Sequence, residues 1–304
     1  MQNNPFVTVI CLCYNQEAFV VESLNSVLNQ SYPFIELIIV DDFSTDNSKK
    51  TISTWLKNNP NVYFIANETN LGITKSFNRA LQLAKGEYVI DLAADDVLLP
   101  ECIEKQINAF TNSSFKNLGV VYGNAELISE NGSFNSYYFP VNTQKKVLKK
   151  RITGDIYKSV LSDFYSMCTV SSMMKKSVLN HLEGYDESLA YEDLDFWIRA
   201  SRMYEFDFID EPIMQKRIVT SSLATDFYKK NNSKTKKIDY STYLILKKGI
   251  QLNRTKQEDL AIQKRVHNEI MHCLKNKNYR LLLKNLELRI ILAWRKNFKK
   301  YTLK

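Results

Sequence analysis

The sequence predicts an α/β fold in which helices cover both faces of a mostly parallel sheet. Short, fully apolar segments alternate four times with segments of helical periodicity through the first hundred residues. These apolar segments lack an alternation with polar residues, as is typical of strands buried on both faces. Acidic residues follow two of them, at the position where open α/β sheets bind ligands. Alternating strands and helices of this kind form parallel sheets.

The elements of this half follow one another in a regular order. Each predicted helix repeats apolar residues three or four positions apart, and Gly86 lies just beyond the third helix, as expected of a helix end. Strands are predicted at residues 6–12, 35–40, 62–66 and 88–92. Helices are predicted at residues 18–29, from a cap within residues 44–47 to about residue 58, and at residues 73–84.

The acidic residues Asp95 and Asp96 follow the fourth strand, directly before a helix predicted to start near Pro100. Two adjacent carboxylates repel each other, and a divalent cation is the simplest partner because hard cations prefer oxygen ligands. The alternative is that both residues cap the helix near Pro100. The residues alone leave both interpretations open.

The remainder of the chain changes character. A strand is predicted at residues 119–128, followed by a hairpin turn and a return segment at 133–139, which together form a small antiparallel excursion. From about residue 227 the chain becomes basic, with a charged linker at 229–237 and three helices up to residue 304. The last helix, at residues 281–298, is basic and amphipathic. It can pack on the catalytic domain or on another subunit, which we expect, or lie on anionic lipid.

Composition narrows the class of protein. The 304 residues are 44% hydrophobic with a mean hydropathy of -0.31 and a net charge of +8, an ordinary globular composition. No signal peptide begins the sequence and no apolar run is long enough to span a bilayer, so we expect a cytoplasmic protein, or one peripheral on the inner face of the cytoplasmic membrane. Glycine-rich dinucleotide and P-loop motifs are absent from the sequence, and no nucleic-acid recognition motif accompanies the basic charge.

Several motifs stand in order along the chain: VICLCYN at 9–15, SVLNQSYP at 26–33, ELIIVDD at 36–42 with STD at 44–46, GEY at 86–88, LAADDVLLP at 92–100 and GYDESLAYEDLDFWIR at 184–199. In sequence and spacing they resemble family 2 glycosyltransferases of the GT-A fold, inverting enzymes of the bacterial cell-surface polysaccharide type. The resemblance covers about residues 7–100 densely and resumes at 184–199.

The resemblance implies a division of the chain and a set of ligands. Residues 1–100 would form the nucleotide-sugar-binding half, residues 101–226 the acceptor-side half of the same GT-A domain, and residues 227–304 a basic helical C-terminal extension. The implied donor is a nucleotide-sugar, with a UDP-sugar expected. The implied acceptor is a glycan or a lipid-linked oligosaccharide, and the implied cofactor is Mn²⁺ or Mg²⁺. The resemblance does not imply a nucleic-acid partner.

The resemblance also assigns a nucleotide site. Asp42 matches the carboxylate that accepts the N3–H of uracil or thymine, and Tyr14 matches the residue that packs on the base; an Asx-type turn is the alternative role of Asp42. Cys13 and Asn15 belong to the same motif as Tyr14 and share its nucleotide-binding assignment. Lys75 could approach the sugar or phosphates, although a solvated helical face is the expected role.

Two acidic pairs receive chemical roles from the resemblance. Asp96 would bind the metal, while Asp95 would meet the hydroxyls of the ribose or sugar. Asp193 matches the base that deprotonates the acceptor hydroxyl, and Glu192 would hold an acceptor hydroxyl or orient that base. The alternative for Asp193 and Glu192 is a structural role, because the helix dipole stabilises acidic residues in the first turn of any isolated helix.

Two positions depart from the family pattern. Ala93 stands where many relatives carry a third acidic residue, and Val219 stands where many carry a histidine. Both departures bear on the protein ligands of the metal. They motivate an alternative function, a catalytically degenerate relative that acts as a glycan- or nucleotide-binding module.

Overall fold

The computed structural model describes residues 4–163, 166–220 and 233–298. Their strands are β1 (Val7–Cys13), β2 (Ile35–Asp41), β3 (Tyr63–Ala66), β4 (Tyr88–Ala93), β5 (Val97–Leu98), β6 (Leu118–Ile128), β7 (Phe134–Tyr137), β8 (Met173–Lys175) and β9 (Glu205–Arg217). Their helices are α1 (Val20–Leu28), α2 (Ser48–Leu56), α3 (Ile73–Leu81), α4 (Cys102–Asn112), α5 (Tyr157–Ser162), α6 (Lys176–His181), α7 (Asp193–Ser201), α8 (Ser233–Leu252), α9 (Lys256–Lys275) and α10 (Tyr279–Phe298).

The strands form one sheet in the order β3-β2-β1-β4-β8-β6-β9-β5, with β7 pairing beside β6. The first four strands of this order are parallel, as the sequence predicts. β8 runs antiparallel to both β4 and β6, whereas β9 is parallel to β6. The predicted hairpin is the antiparallel pair of β6 and β7. β9 and β5 are additions that the sequence analysis did not predict.

The described residues divide into two compact units. The sheet unit consists of Met1–Gly154, Met167–Glu187 and Tyr204–Val219, and the helical unit consists of Asp155–Ser166, Ser188–Met203 and Thr220–Lys304, within the described ranges. The helical unit therefore takes α5 and α7 together with the three C-terminal helices.

The core of the sheet unit lies on both faces of the parallel strands. Ile10, Ile39 and Ile90 are buried in three neighbouring strands, where β-branched side chains pack well. Gly86 lies so close to β1 that an added Cβ would be 2.5 Å from the backbone nitrogen of Thr8. A side chain at position 86 would therefore push β4 away from β1.

The helical unit is held by capping and by buried ion pairs. Thr255 and Glu258 form a reciprocal capping box at the start of α9, which satisfies two backbone N–H groups that a helix start leaves open. Glu258 also pairs with Arg202 of α7 at 2.8 Å. The three helices predicted at the C-terminus are confirmed. The predicted charged linker is wrong from residue 233 onward, where α8 begins, and its earlier residues lie outside the described ranges.

The last helix, α10, packs through one face. Leu281, Leu288 and Leu292 are buried, and α10 contacts α8 and α9 of the same unit. The last helix thus packs on the two preceding helices of the helical unit, while the expected contact with the catalytic domain or another subunit stays a prediction. None of the described helices combines the length and the apolar character that crossing a lipid bilayer requires.

Candidate active site

The candidate site lies at the carboxyl ends of three neighbouring parallel strands. Cys13 of β1 pairs with Asp41 of β2, and Leu12 pairs with Ala93 of β4, so the three strands end at nearly the same level. The loops that follow them carry the predicted nucleotide and metal residues. Ligands of open α/β sheets bind at this edge.

Asp42 is buried at the end of β2 and anchors the start of α3. Its Oδ1 accepts hydrogen bonds from Asn67 Nδ2 at 2.8 Å, Leu71 N at 2.8 Å and Ser76 Oγ at 2.9 Å. Its Oδ2 accepts one hydrogen bond from the residues that the structure describes, from Gly72 N at 2.9 Å. Because a carboxylate oxygen has two lone pairs, Oδ2 can accept a further donor. This geometry suits the predicted contact with a base N3–H.

The Asx-type turn considered for Asp42 belongs to its neighbour. Ser44 N donates to Oδ2 of Asp41 at 3.2 Å, so Asp41 closes the turn that leads into the next loop. The side chain of Asp42 points instead to the residues before α3. The alternative role of Asp42 is therefore wrong.

Asn15 joins the loops after β1 and β2. Its side-chain oxygen accepts hydrogen bonds from Thr45 N at 2.7 Å and Thr45 Oγ1 at 3.2 Å, and its backbone nitrogen donates to Ser44 Oγ at 3.0 Å. Its φ of 56° lies in the left-handed region, which asparagine tolerates better than most residues. Asn15 thus fixes the shape of the predicted base site.

The other predicted nucleotide residues differ in exposure. The ring of Tyr14 is exposed beside Asn15, where it can pack on a flat ligand. The thiol of Cys13 is buried, so Cys13 can offer a nucleotide its main chain but not its side chain. Lys75 is exposed on α3. Phe43, which the sequence analysis did not select, is 49% exposed with a φ of 62°, a strained conformation for an aromatic residue.

The acidic pair lies between β4 and β5 and does not cap a helix. The N-cap position of α4 is occupied by Glu101, five residues beyond Asp96, so the capping interpretation of Asp95 and Asp96 is wrong. Asp96 is buried, and its Oδ1 accepts a hydrogen bond from the backbone nitrogen of Arg217 at 2.9 Å. Asp95 is half-buried, and its backbone oxygen accepts from Arg217 Nε at 3.0 Å.

Arg217, which is 4% exposed, holds this acidic loop in place from the end of β9. One guanidinium nitrogen donates to the backbone oxygens of Ser129 at 3.2 Å and Glu130 at 3.1 Å. The other pairs with Glu22 of α1 at 2.6 Å. A planar guanidinium with five donors can join these groups, whereas a lysine cannot. Arg217 therefore ties the acidic loop to the β6–β7 hairpin and α1.

Charge and burial compete at the acidic pair. Burial raises the pKa of both Asp95 and Asp96, and the positive charge of Lys216 opposes the rise in each. The negative charge of Asp95 raises the pKa of Asp96 further. One step beyond the Val97–Gln215 pair of β5 and β9, Lys216 is placed opposite Asp96. The pair is thus costly to ionise together without added positive charge.

The residues at this edge fit a divalent cation that shares its coordination with a ligand. Within the described ranges, no three acidic, histidine or cysteine side chains converge in a way that could enclose a metal. The buried carboxylate of Asp96, with Asp95 beside it, offers the hard oxygen donors that Mg²⁺ and Mn²⁺ prefer. Such cations commonly take one or two protein carboxylates and complete their coordination with phosphates and water. Val219, at the position of the family histidine, is buried and offers no ligand.

The second acidic pair belongs to the helical unit. Asp193 is the first residue of α7 and Glu192 precedes it as the N-cap; both are half-buried. The preceding residues are tied to α8, where Ala190 N donates to Ser241 Oγ at 2.9 Å. Asp195, two positions on, is buried and committed to ion pairs. These anchors fix the start of α7 on α8.

The comparison with protein families identifies the chain. The family described as glycosyl transferase family 2 matches residues 8–182, more than half of the sequence. An uncharacterized glycosyltransferase of Methanocaldococcus jannaschii is 32% identical over 71% of this chain and 72% of its own. The chain belongs to glycosyl transferase family 2. The predicted family is thereby confirmed, and the chain is a glycosyltransferase.

Other members of the family extend this likeness. A chondroitin synthase of Escherichia coli is 28% identical over 76% of this chain, which spans 32% of that longer protein. Residues 1–349 of TarS from S. aureus, solved in complex with UDP-GlcNAc, superpose with a TM-score of 0.64 at 20% identity, over 85% of this chain and 71% of that one. A mannosyltransferase of Pyrobaculum calidifontis, solved with GDP-Man and Mn²⁺, gives a TM-score of 0.59 at 15% identity over 98% and 89%. These superpositions confirm the predicted GT-A fold.

Two site residues of this family 2 glycosyltransferase escaped the sequence analysis. Lys216 and Arg217 lie just before Val219, the position where the family histidine is missing, and the sequence alone gave neither of them a role. Their roles come from β9, a strand whose mixed polar and apolar residues gave no recognisable period. A basic pair at the end of an internal segment, shortly before Val219, was the signal that could have drawn attention to them.

Proposed function

We propose that this glycosyltransferase moves a sugar from a nucleotide-sugar, expected to be a UDP-sugar, to a hydroxyl of a glycan or lipid-linked acceptor in cell-surface polysaccharide synthesis. The reaction proceeds with inversion at the anomeric carbon. The observation that carries the proposal is that Asp42 and the Asp95–Asp96 loop follow β2 and β4, which flank β1 and end at nearly the same level, in a family 2 chain. Solved relatives with UDP-GlcNAc and with GDP-Man support a nucleotide-sugar donor.

The donor's base and diphosphate engage different parts of the sheet edge in this proposal. Oδ2 of Asp42 accepts the imide N–H of the base, and the exposed ring of Tyr14 packs on its face. Asp96, with Asp95 beside it, would hold Mn²⁺ or Mg²⁺. When bound, such a cation neutralises the charge that develops on the departing diphosphate. Lys216 adds a fixed positive charge at the same edge.

Asp193 acts as the general base in the proposed reaction. Its carboxylate takes the proton of the acceptor hydroxyl, and the resulting oxygen nucleophile forms a bond to the anomeric carbon. The bond between that carbon and the diphosphate oxygen breaks at the same time, and the nucleoside diphosphate leaves with the electron pair. One displacement from the opposite side inverts the configuration. Glu192 holds the acceptor hydroxyl or orients Asp193.

The first experiment compares binding of UDP-, dTDP- and GDP-sugars by calorimetric titration, with and without Mn²⁺. The second measures slow hydrolysis of the preferred donor, since transferases without an acceptor transfer some sugar to water. We expect metal-dependent binding of one donor class and detectable hydrolysis. Binding without any turnover, even with acceptor mixtures, would support the degenerate binding module that Ala93 and Val219 suggest. Absence of binding by every donor would contradict both.

A further inference from the structure

The last helix, α10, presents a second apolar face opposite the one that packs. Leu281, Leu288 and Leu292 point into the helical unit and are buried. Four other large apolar side chains, all highly exposed, form what we call the outer stripe. The outer stripe consists of Tyr279, Leu283, Ile290 and Trp294, which are 63%, 68%, 68% and 58% exposed.

The outer stripe is continuous along the helix. Its members follow one another at intervals of four, seven and four residues, which at 3.6 residues per turn places all four within an arc of about 60°. Leu286, which is half-buried, lies about 20° outside this arc. A packed surface helix normally turns a polar face to water, so an aligned exposed apolar face indicates a binding surface.

Basic residues flank the outer stripe on both sides. Arg280 and Lys284 lie on one side of it, and Arg289 and Lys296 lie on the other. Of the five basic residues of α10, Arg295 is buried and pairs with Asp259, which leaves four basic residues and one acidic residue, Glu287, around the stripe. The surface around the stripe is therefore positive.

We propose that the outer stripe docks on a lipid surface that carries anionic headgroups. Tyr279 and Trp294 lie near the two ends of α10, and such amphipathic rings favour the boundary between headgroups and acyl chains. Leu283 and Ile290 enter the apolar layer while the flanking cations meet the headgroups. A second copy of this chain would instead bring two equally positive surfaces together. This inference goes beyond the proposed transfer reaction and does not depend on it.

Vesicle binding of the full chain tests the inference through its own tryptophans. The chain contains three tryptophans, and Trp55 and Trp197 are only 9% and 4% exposed. Trp294 is therefore the one whose emission should shift to shorter wavelength when the stripe enters lipid. We expect the shift and co-sedimentation with phosphatidylcholine vesicles that contain phosphatidylglycerol, and neither with phosphatidylcholine alone. Trp294→Phe should remove the shift and keep most of the sedimentation.

Paired substitutions separate the stripe from a general effect of sequence change. Leu283→Asp with Ile290→Asp should weaken vesicle binding by at least about tenfold, because burial of one leucine or isoleucine is worth roughly that factor. Leu148→Asp with Ile152→Asp is the matched control, since these side chains are equally exposed in the sheet unit. The control should bind like the unmodified chain, and circular dichroism should show both variants folded.

Neutralised charges test the electrostatic part. Lys284→Gln with Arg289→Gln should weaken binding to the anionic vesicles by about fivefold for each charge. Lys49→Gln with Lys50→Gln, exposed on α2, should not. Equal losses in both pairs would mean that net charge alone draws the chain to the vesicles, and would overturn the inference.

Two further results would overturn it. One is an unmodified chain that fails to bind anionic vesicles. The other is a stripe variant that changes the molar mass in light scattering without changing vesicle binding, because the stripe would then be covered by a second copy of the chain.

Discussion

The two units of the molecule treat buried carboxylates in opposite ways. At the edge of the sheet unit, Asp42 accepts hydrogen bonds from backbone N–H groups and neutral side chains. In the helical unit, Asp195 meets Arg199 and Lys248, each at 2.7 Å. Neutral donors hold a carboxylate in place and leave its charge for a ligand, whereas a direct ion pair cancels that charge. The difference indicates that the carboxylate at the edge of the sheet unit is available to bind a ligand, whereas the carboxylate in the helical unit holds helices together.

The largest expected effect concerns Asp193, a carboxylate of the helical unit to which we assign a role in the reaction and not in cohesion. Asp193→Asn should lower turnover by about 10²–10⁴, the usual contribution of a general base, while donor affinity stays unchanged because the base acts on the acceptor. Initial rates and calorimetric titration with the donor measure the two quantities. A loss of donor affinity in step with the rate would contradict the assignment.

Asp195→Ala sharpens the comparison through stability. It leaves Arg199 and Lys248 without their carboxylate, and we expect a loss of about 2–4 kcal/mol in the free energy of unfolding, below the full cost for a wholly buried pair because both cations are partly exposed. The matched change in the sheet unit is Asp46→Ala, which removes hydrogen bonds from Ser48 N and Glu17 N and should cost about 1 kcal/mol. Urea denaturation of both variants measures the difference. Equal costs would contradict the proposed contrast.

Arg217→Met tests whether a side chain that forms an ion pair also supports donor binding, by holding the acidic loop in place. Removal of the guanidinium leaves Glu22 and three backbone oxygens without their donor, so we expect a loss of about 1.5–3 kcal/mol in stability. The Mn²⁺ concentration needed for half-maximal donor binding should also rise, because the acidic loop is no longer fixed. Arg254→Met, whose exposed side chain lies between α8 and α9, is the control for the loss of an arginine charge. A normal Mn²⁺ requirement in Arg217→Met would limit Arg217 to a structural role.

Asp42→Ala tests the neutral-donor side of the comparison. We expect nucleotide affinity to fall by roughly 1.5–3 kcal/mol, the cost of a hydrogen bond to a charged group. Calorimetric titration with UDP measures it in a variant shown to be folded. Ser76→Ala removes one donor to Asp42 without approaching the base, so it should retain most of the affinity. Unchanged UDP affinity in Asp42→Ala would remove this residue from the site.

The smallest effect concerns Glu269, a carboxyl of the helical unit whose burial is not fully offset by the positive charges near it. Burial raises its pKa to about 7, with the charges of Asp239, His272 and Arg265 also acting on it. The hydrogen bond to Asp239 raises the pKa of His272 as well. Both folded-state pKa values lie above the unfolded ones, so their stabilisation is complete at acid pH and is lost as pH rises. For Glu269 the loss spans pH 4.5 to about 7.

The measurement is the thermal midpoint across this pH range. It should fall as pH rises, and the fall should be shallower in Glu269→Gln, whose side chain does not ionise. A midpoint that rises with pH in the unmodified chain and is unaffected by Glu269→Gln would contradict the prediction.

The sequence predicted the elements whose signals are local. The four parallel strands are short apolar runs, and their order along the chain fixes a parallel arrangement. β9 was missed because its thirteen residues mix acidic, apolar and basic side chains around Pro212, and they become a strand by pairing with β6. Whether a segment forms a strand depends on the strand it pairs with as much as on its own residues.

The same distinction applies to the site. The motifs placed Asp42 and the acidic pair at strand ends correctly, because strand ends are readable from the apolar runs before them. The contact between Asp96 and Arg217 joins residues 121 positions apart, and no local pattern encodes it. Likewise, the ion pair of Asp195 with Lys248 depends on how α7 and α8 pack.

The place of β9 within the sheet has a consequence for the order of folding during synthesis. β1 to β4 can pair as soon as their own residues have left the ribosome, since they are neighbours in the sheet and all lie before residue 94. β5 cannot pair until β9 is made, because β9 is its neighbour in the sheet. Closure of so long a loop is slow relative to local pairing. The edge that carries the proposed base site is therefore built early, and the acidic loop acquires its final shape only after Arg217 has emerged.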